Sequence, residues 1–198
     1  MGTAIVVTSG KGGTGKTTVT SAVSSCLAAL GSRVLCVDMD IGLRNLDPSL
    51  GMSDRAVMDF TDVIQGRCPL QRAAAAQPDI PGLYLLTAPV RLPPEGVDLR
   101  QMAAFLAQAR QEFDYILMDS PAGLGAGFQL ACAGADRAIV VTTNDPSALR
   151  DAQRTVHELS RTTPQIHLVM NRVQPKLLRR LHTTIDDAMD AAGLPLLG

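Results

Sequence analysis

A glycine-rich segment near the start of the chain has the residue types and spacing of a phosphate-binding loop. Residues 10–17, GKGGTGKT, match G-x-x-x-x-G-K-[ST], with an apolar run before them and a helical pattern after them. Glycines let backbone N–H groups close around phosphate oxygens, and the positive end of the following helix favours the same anion. We expect Lys16 to reach the β- and γ-phosphates, Thr17 to bind Mg²⁺ and Thr18 to donate to the α-phosphate. The predicted nucleotide-binding residues of this loop are Gly10, Lys11, Gly12, Gly13, Thr14, Gly15, Lys16, Thr17 and Thr18.

A second lysine, Lys11, lies inside the same loop, five residues before Lys16. A lysine on an ordinary surface loop is a solvated charge. Within a loop that holds phosphates, it is also a candidate cation for the nucleotide. The residues by themselves leave both interpretations open.

Carboxylates follow two of the short apolar runs. Asp38 and Asp40 come after one run, and Asp119 comes after another. An apolar strand that ends in Asp is the Walker B pattern, whose carboxylate holds Mg²⁺ directly or through water. Together with the phosphate loop, this predicts that Asp38 and Asp119 lie at the metal and that Asp40 lies beside the phosphates. The glycines beyond Asp119 predict a mobile segment near the γ-phosphate: Gly123, Gly125 and Gly127.

The elements that must position these residues alternate along the chain. Short, continuously apolar, β-branched runs are typical of strands covered on both faces, as in a parallel sheet with helical crossovers. The fold class predicted is therefore α/β, a three-layer P-loop NTPase fold with a mostly parallel sheet and helices on both faces. Residues 1–198 are predicted to form one domain, with its ligand at the carboxyl ends of the strands. Strands are predicted at 4–8, 34–37, 83–86, 115–118, 138–141 and 166–170, and helices at 16–30, 55–65, 98–113, 147–161 and 175–192.

The composition excludes several classes of protein. Of the 198 residues, 46% are hydrophobic and 19% are charged, so the chain has material for a packed core and is not intrinsically disordered. The net charge of −1 argues against a globally basic nucleic-acid binder. No apolar run approaches the ~20 residues of a membrane-spanning helix. The four cysteines show no CxxC spacing, so we expect reduced thiols and neither a zinc site nor a redox motif.

Three segments together resemble the MinD/ParA family of P-loop ATPases. They are the phosphate loop with Lys11, the stretch DMDIGLRNLD at 38–47 and the stretch DSPAG at 119–123. The 38–47 stretch is most similar to the MinD branch, and the resemblance covers essentially the whole chain. It implies an ATPase that uses ATP and Mg²⁺ and forms a face-to-face homodimer when ATP is bound.

The resemblance also implies roles for individual residues. Lys11 would reach across the dimer to the other subunit's phosphates, and Asp40 would position the attacking water. Asp38 would support the switch and the signature lysine, and Asp119 would be the Walker B carboxylate. The remaining implied positions are Asn171 at the adenine, Asn45 near the dimer interface, and Arg150 and Asp151 near the surface for the partner or second subunit.

Partners and location follow from the resemblance alone. In the MinD branch, the ATP dimer binds membrane and recruits MinC, and MinE stimulates hydrolysis. We therefore expect a cytoplasmic protein, peripheral at the inner face of the membrane in a full-length form, with no specific nucleic acid. Family chains continue past Gly198 to a terminal amphipathic helix, so the chain is expected to be shortened at its C-terminus. The alternative function is that of a ParA-like partition ATPase or an ATPase of the flagellar-number type.

Overall fold

A seven-stranded sheet forms the centre of the molecule. The computed structural model describes residues 1–53, 55–92 and 96–198, without the side chain at 177. The strand order is β3-β4-β2-β5-β1-β6-β7, and every pairing is parallel except that of β3 with β4. The strands are β1 Thr3–Thr8, β2 Val34–Asp38, β3 Ala75–Ala76, β4 Leu83–Leu86, β5 Tyr115–Asp119, β6 Arg137–Thr142 and β7 Gln165–Met170. The helices are α1 Lys16–Ala29, α2 Leu46–Ser49, α3 Phe60–Ile64, α4 Leu70–Ala73, α5 Leu99–Glu112, α6 Ala126–Cys132, α7 Pro146–Leu159, α8 Pro175–Leu181 and α9 Ile185–Ala192.

Side chains of the strands alternate between two helical layers. In β1, Ala4 and Val6 pack into the core beneath α3, α5 and α6, whereas Ile5 and Val7 pack on the face that carries α1. Because successive residues of a strand point to opposite faces, a run that is apolar throughout buries both faces. The predicted α/β fold class with helices on both faces is confirmed.

The strand register brings the predicted acidic residues together. β2 and β5 are neighbours, and Asp38 is paired with Asp119 at their carboxyl ends. Both residues lie on the face that carries α1, since they alternate in phase with Cys36 and Leu117 of that core. The phosphate loop leaves β1, the next strand along. The sheet therefore gathers residues from three separate parts of the sequence at one edge.

Two of the predicted helices differ from the structure. The helix predicted at 55–65 begins only at Phe60, because Asp59 and Asp62 form a capping box that starts it there. The helix predicted at 175–192 is two helices, interrupted at His182, whose φ of 51° is left-handed. A second capping box, from Thr184, then begins α9. In both places, the hydrogen bonds of a capping box start a helix inside a segment predicted as one continuous helix.

The glycine-containing segment after β5 includes a helix. Gly125 lies at the N-cap of α6, and Gly127 is inside that helix. A Cβ on Gly127 would lie 2.9 Å from Cγ of Pro121. The predicted mobility of this segment stays a prediction. At the edge of the sheet formed by β7, Leu196 forms a parallel bridge with Leu168 of that strand.

Candidate active site

The phosphate loop is shaped by glycines that no other residue can replace without strain. Gly13 and Gly15 have φ values of +78° and +97°, in a region that L side chains rarely adopt. A Cβ on Gly15 would also collide with Nδ2 of Asn171. At the other end of the loop, a Cβ on Gly10 would collide with the backbone of Asp151 in α7. The loop is thus held between α7 and the end of β7, and α1 starts at its last residues.

The point where the loop enters α1 brings together the side chains of Lys16, Thr17 and Asp119. Thr17 Oγ1 donates a hydrogen bond to Oδ2 of Asp119 at 2.6 Å, and Thr20 Oγ1 donates to Oδ1 at 3.1 Å. Lys16 and Asp119 are 8% and 2% exposed. Thr18 lies exposed in the same first turn of the helix. The structure therefore brings together the predicted phosphate lysine, the predicted Mg²⁺ hydroxyl and the predicted Walker B carboxylate.

Burial dominates the ionisation of these groups. It raises the pKa of Asp119 to about 6, against the hydrogen bonds of Thr17 and Thr20 and the charge of Lys16, which lower it. Burial also lowers the pKa of the Lys16 ammonium, whereas Asp119 and Asp40 oppose that shift. For half-buried Asp40, desolvation raises the pKa and Lys16 lowers it. For each of these three groups, burial therefore disfavours the charged form more than its neighbours favour it.

Asp38 fastens the loop that follows β2. Its Oδ1 accepts the N–H of Asp40 at 2.8 Å, and its Oδ2 accepts the N–H of Leu46 at 3.0 Å. The side chain is fully buried, and burial outweighs these two bonds, so its pKa rises to about 6. Each carboxylate oxygen thus already has a backbone donor. The geometry favours a role in shaping the loop, and the predicted role of Asp38 at the metal stays a prediction.

Lys11 is bound within its own chain. Its Nζ lies 3.0 Å from Oδ2 of Asp145 and 2.6 Å from Oγ of Ser147, at the start of α7. Ser147 Oγ in turn donates a hydrogen bond to Oδ2 of Asp145. This bond, as the largest cause, and the one from Lys11 lower the pKa of the exposed Asp145 carboxyl to about 2. No sequence signal connects Lys11 to residues more than 130 positions away.

Asn171 ties the end of β7 to the phosphate loop. Its Nδ2 donates to the carbonyl oxygen of Thr14 at 2.9 Å, and its Oδ1 accepts the N–H of Arg172 at 2.8 Å. The structure thus gives Asn171 a contact with the loop itself, which the sequence did not indicate. Its implied contact with adenine stays a prediction.

Other residues show where the sequence was and was not informative. Thr20 was missed, although its spacing of three from Thr17 places both hydroxyls on one face of a helix. Asn45 precedes α2 and is exposed, and Arg150 lies exposed on α7, so both are accessible to a second protein. Asp151 packs against Gly10.

Two further findings concern metals and membranes. Among residues 1–53, 55–92 and 96–198, no group of three or more His, Cys, Asp and Glu side chains could hold a metal ion by itself. In this part of the chain, no helix combines the length and apolar character that crossing a bilayer requires.

Similar proteins place the chain in a family. The family model that matches, described as an AAA domain, covers residues 2–173. The septum site-determining proteins MinD of Bacillus subtilis and of Synechocystis are 42% and 40% identical over 202 and 196 residues. These alignments cover 100% and 98% of this chain, and 75% and 74% of the relatives. The chain belongs to the MinD family of P-loop ATPases. Its predicted family and its predicted place in division-site selection are thereby confirmed.

Solved structures agree with this membership. A chain of the MinC:MinD cell division protein complex of Aquifex aeolicus is 36% identical, with a TM-score of 0.90 over 99% of this chain and 80% of that one. MinD of Pyrococcus horikoshii, complexed with Mg-ADP, is 30% identical, with a TM-score of 0.82 over 100% of this chain and 80% of that one. A ParA family ATPase of Chlorobium tepidum, at 20% identity, shows the fold alone. ATPase activity in general follows from MinD family membership.

Proposed function

We propose that this chain is an ATP-dependent dimerisation switch in division-site selection, which hydrolyses ATP to ADP and phosphate with Mg²⁺. Residues 1–198 would act as one P-loop ATPase domain. The observation that best supports the proposal is the meeting of Lys16, Thr17 and Asp119 at the mouth of the phosphate loop. A glycine-rich loop that leads into a helix N-terminus and holds one buried ammonium is suited to a polyphosphate.

The donor set fits Mg²⁺. This ion prefers oxygen ligands and is commonly held by one or two carboxylates, a hydroxyl, water and substrate phosphates. Thr17 and Asp119 would hold it, with Asp38 nearby, and the proximity of Asp119 to a cation would offset the cost of its buried charge. Bound by these residues, Mg²⁺ would supply positive charge against the charge that develops on the phosphates. The Mg-ADP complex of the Pyrococcus horikoshii relative supports this assignment.

Asp40 would orient the attacking water. It lies two residues beyond β2, is half-buried, and interacts electrostatically with Lys16. A carboxylate beside the phosphate lysine can accept a hydrogen bond from the attacking water. Positioning and charge stabilisation supply most of the catalysis in phosphoryl transfer. Lys16 would stabilise the charge on the transferring group.

Lys11 would act across the dimer. In a monomer, its ammonium is bound by Asp145 and Ser147, so these bonds must break before it can reach another subunit. Both members of the Lys11–Asp145 pair are about half exposed, so solvent screens their attraction. The γ-phosphate of a bound ATP offers far more negative charge. A cation supplied in trans is the mechanism of the arginine finger in other P-loop enzymes.

Partners and location are proposed from the family. The complex of the Aquifex aeolicus relative with MinC supports MinC as a partner, and MinE is proposed from the MinD resemblance. The same resemblance supports a cytoplasmic protein that associates peripherally with the membrane in a full-length form, without specific nucleic acid.

Phosphate release from ATP tests the proposed activity. We expect turnover by the purified chain that requires Mg²⁺ and is lost in Lys16→Ala, because the main cation at the γ-phosphate is gone. Lys176→Ala, which alters an exposed lysine of α8, is the matched control and should match the parent chain. Equal turnover in Lys16→Ala and the parent would overturn the site assignment.

A further inference from the structure

The loop between β2 and α2 is fastened by its backbone to the residues around it. The Asp38 carboxylate holds the N–H groups of Asp40 and Leu46 from inside the molecule. The carbonyl oxygen of Asp40 in turn accepts the N–H of Leu43 at 3.1 Å and that of Arg44 at 3.4 Å. The backbone position of Asp40 is therefore coupled to that of Arg44.

The Arg44 side chain ties this loop to three other segments. Its Nε donates to Oγ1 of Thr87 at 2.8 Å, just beyond β4. Its Nη2 donates to Oδ2 of Asp47 in α2 at 3.0 Å and to the carbonyl oxygen of Ala56 at 2.9 Å. The planar guanidinium, with several donors in a fixed geometry, can make these bonds at once, whereas a lysine ammonium cannot reproduce them.

The acceptors of Arg44 form a buried network. Thr87 and Asp47 are 1% and 4% exposed, and Thr87 Oγ1 donates to Oδ1 of Asp47 at 3.0 Å. The hydroxyl of Thr87 thus accepts from Arg44 and donates to Asp47. A buried carboxylate that loses its cationic partner is costly, so this network is far more constrained than an ion pair on the surface.

Arg44 holds this position with a strained backbone. Its φ is +49°, in the left-handed region that non-glycine residues visit rarely. Such a conformation persists where the surrounding contacts over-determine it, and strained positions cluster at functional sites.

We propose that Arg44 is a positioning residue for hydrolysis: it holds the 39–45 loop so that Asp40 lies in the right place beside the phosphate loop. The inference rests on the proposed role of Asp40. Arg44 acts through the loop and need not touch the nucleotide. Replacing Arg44 should therefore lower kcat, because kcat depends on the placement of Asp40. It should leave the affinity for ATP unchanged, because that affinity depends on the phosphate loop.

The test compares Arg44→Lys with Arg67→Lys. Arg67 forms an exposed ion pair with Asp62, 2.8 Å from Nε to Oδ1, and is the matched control. We expect Arg44→Lys to lower kcat by about tenfold to a hundredfold, since small displacements near reacting atoms can cost about 10²-fold. The KM of Arg44→Lys and its affinity for a fluorescent ATP analogue should stay within about twofold of the parent values. For Arg67→Lys, kcat, KM and this affinity should all stay within about twofold, because the substitution is at the surface. Amide hydrogen exchange across residues 39–46 of the nucleotide-free chain should speed up in Arg44→Lys alone.

Two results would overturn the proposal. One is a folded Arg44→Lys chain with unchanged kcat, or with the loss entirely in KM; the other is unchanged hydrogen exchange across the loop. Thr87→Val gives a second route if Arg44→Lys does not fold: it should lower kcat in the same direction, and the double variant should lose no more than Arg44→Lys alone, because the residues act as one unit. A parent chain with no turnover above Lys16→Ala would contradict the proposed function instead, while the exchange experiment still decides whether Arg44 holds the loop.

Discussion

At the scale of single residues, the phosphate loop combines two separate demands on glycine. Gly13 and Gly15 both have positive φ, but a Cβ would meet nothing within 4 Å at Gly13 and would collide with Asn171 at Gly15. Comparing a substitution at Gly13 with the same substitution at Gly15 therefore separates the effect of backbone strain from that of steric collision.

Gly15→Ala is expected to damage ATP binding much more than Gly13→Ala. Both variants incur the left-handed penalty of about 1–2 kcal/mol, but only Gly15→Ala also displaces Asn171 from its bond with Thr14. Titration with a fluorescent ATP analogue measures the difference, and circular dichroism shows that both variants fold. Equal affinities would mean that the contact with Asn171 does not shape the loop.

The buried carboxylates make a prediction about pH. The pKa of Asp119 is raised from 3.8 to about 6, so between these values the folded state binds a proton that the unfolded state does not. Stability of the nucleotide-free chain therefore falls as pH rises through this window, and the loss is complete above it. Replacing the Asp119 carboxylate by a neutral side chain should restore the stability that is lost as pH rises.

Asp119→Asn should therefore stabilise the nucleotide-free chain at pH 7.5, by on the order of 1–3 kcal/mol given about 1.4 kcal/mol per pKa unit, and have little effect near pH 4. The same variant should lose Mg²⁺-dependent turnover. Urea unfolding at the two pH values measures the effect, with Asp79→Asn, an exposed carboxylate, as control. A destabilised Asp119→Asn at pH 7.5 would contradict the inferred cost of this charge.

At the scale of elements, capping side chains decided where helices start. Asp98 caps α5, with Gln101 completing the box. The boxes at Asp59 and Thr184 have the same physical basis, yet apolar periodicity extended past both of them. A local side-chain bond to the backbone can thus override an amphipathic pattern.

Thr184→Ala is expected to cost about 1 kcal/mol of stability, the usual loss when an N-cap hydroxyl is removed. Thr184 Oγ1 accepts the N–H of Asp187 at 3.1 Å, and the Asp187 carboxylate accepts the N–H of Thr184. Thr183→Ala, the exposed neighbour, should change stability by less than about 0.5 kcal/mol. Denaturant unfolding measures both, and equal losses would show that the capping box does not stabilise α9.

At the scale of the whole molecule, Lys11 links the fold to the proposed assembly. It lies exposed at the edge of the sheet where the phosphate loop lies, yet it is bound by Asp145 and Ser147 of its own chain. Transfer to a second subunit would exchange an exposed ion pair for a contact with phosphate.

Lys11→Ala should therefore abolish ATP-dependent dimerisation while leaving ATP binding largely intact. Light scattering with ATP, in an Asp40→Ala background that does not hydrolyse it, measures the dimer. Lys176→Ala serves as control for the loss of one positive charge. Equal dimer formation with and without Lys11 would contradict the trans role, and a monomeric Asp40→Ala chain at high ATP would contradict the dimerisation switch itself.

The sequence by itself determined the features that depend on local backbone chemistry. The glycines and Lys16 of residues 10–17 specify a phosphate loop because phosphate binding needs left-handed turns and a helix start within a few residues. The apolar runs specify buried parallel strands because burial on both faces leaves no polar alternation. The MinD family followed from residues 38–47 and 119–123 together with Lys11.

Only the tertiary structure decided which distant residues meet. The strand order places Asp38 opposite Asp119, and the packing of α7 and β7 brings Asp145 to Lys11 and Asn171 to Thr14. Arg44 likewise meets Thr87, 43 residues away. These contacts depend on sheet register and on the packing of helices against the sheet, which the whole core sets jointly. A pattern within a short stretch of sequence cannot specify these contacts, because the two residues of each contact lie far apart in the chain.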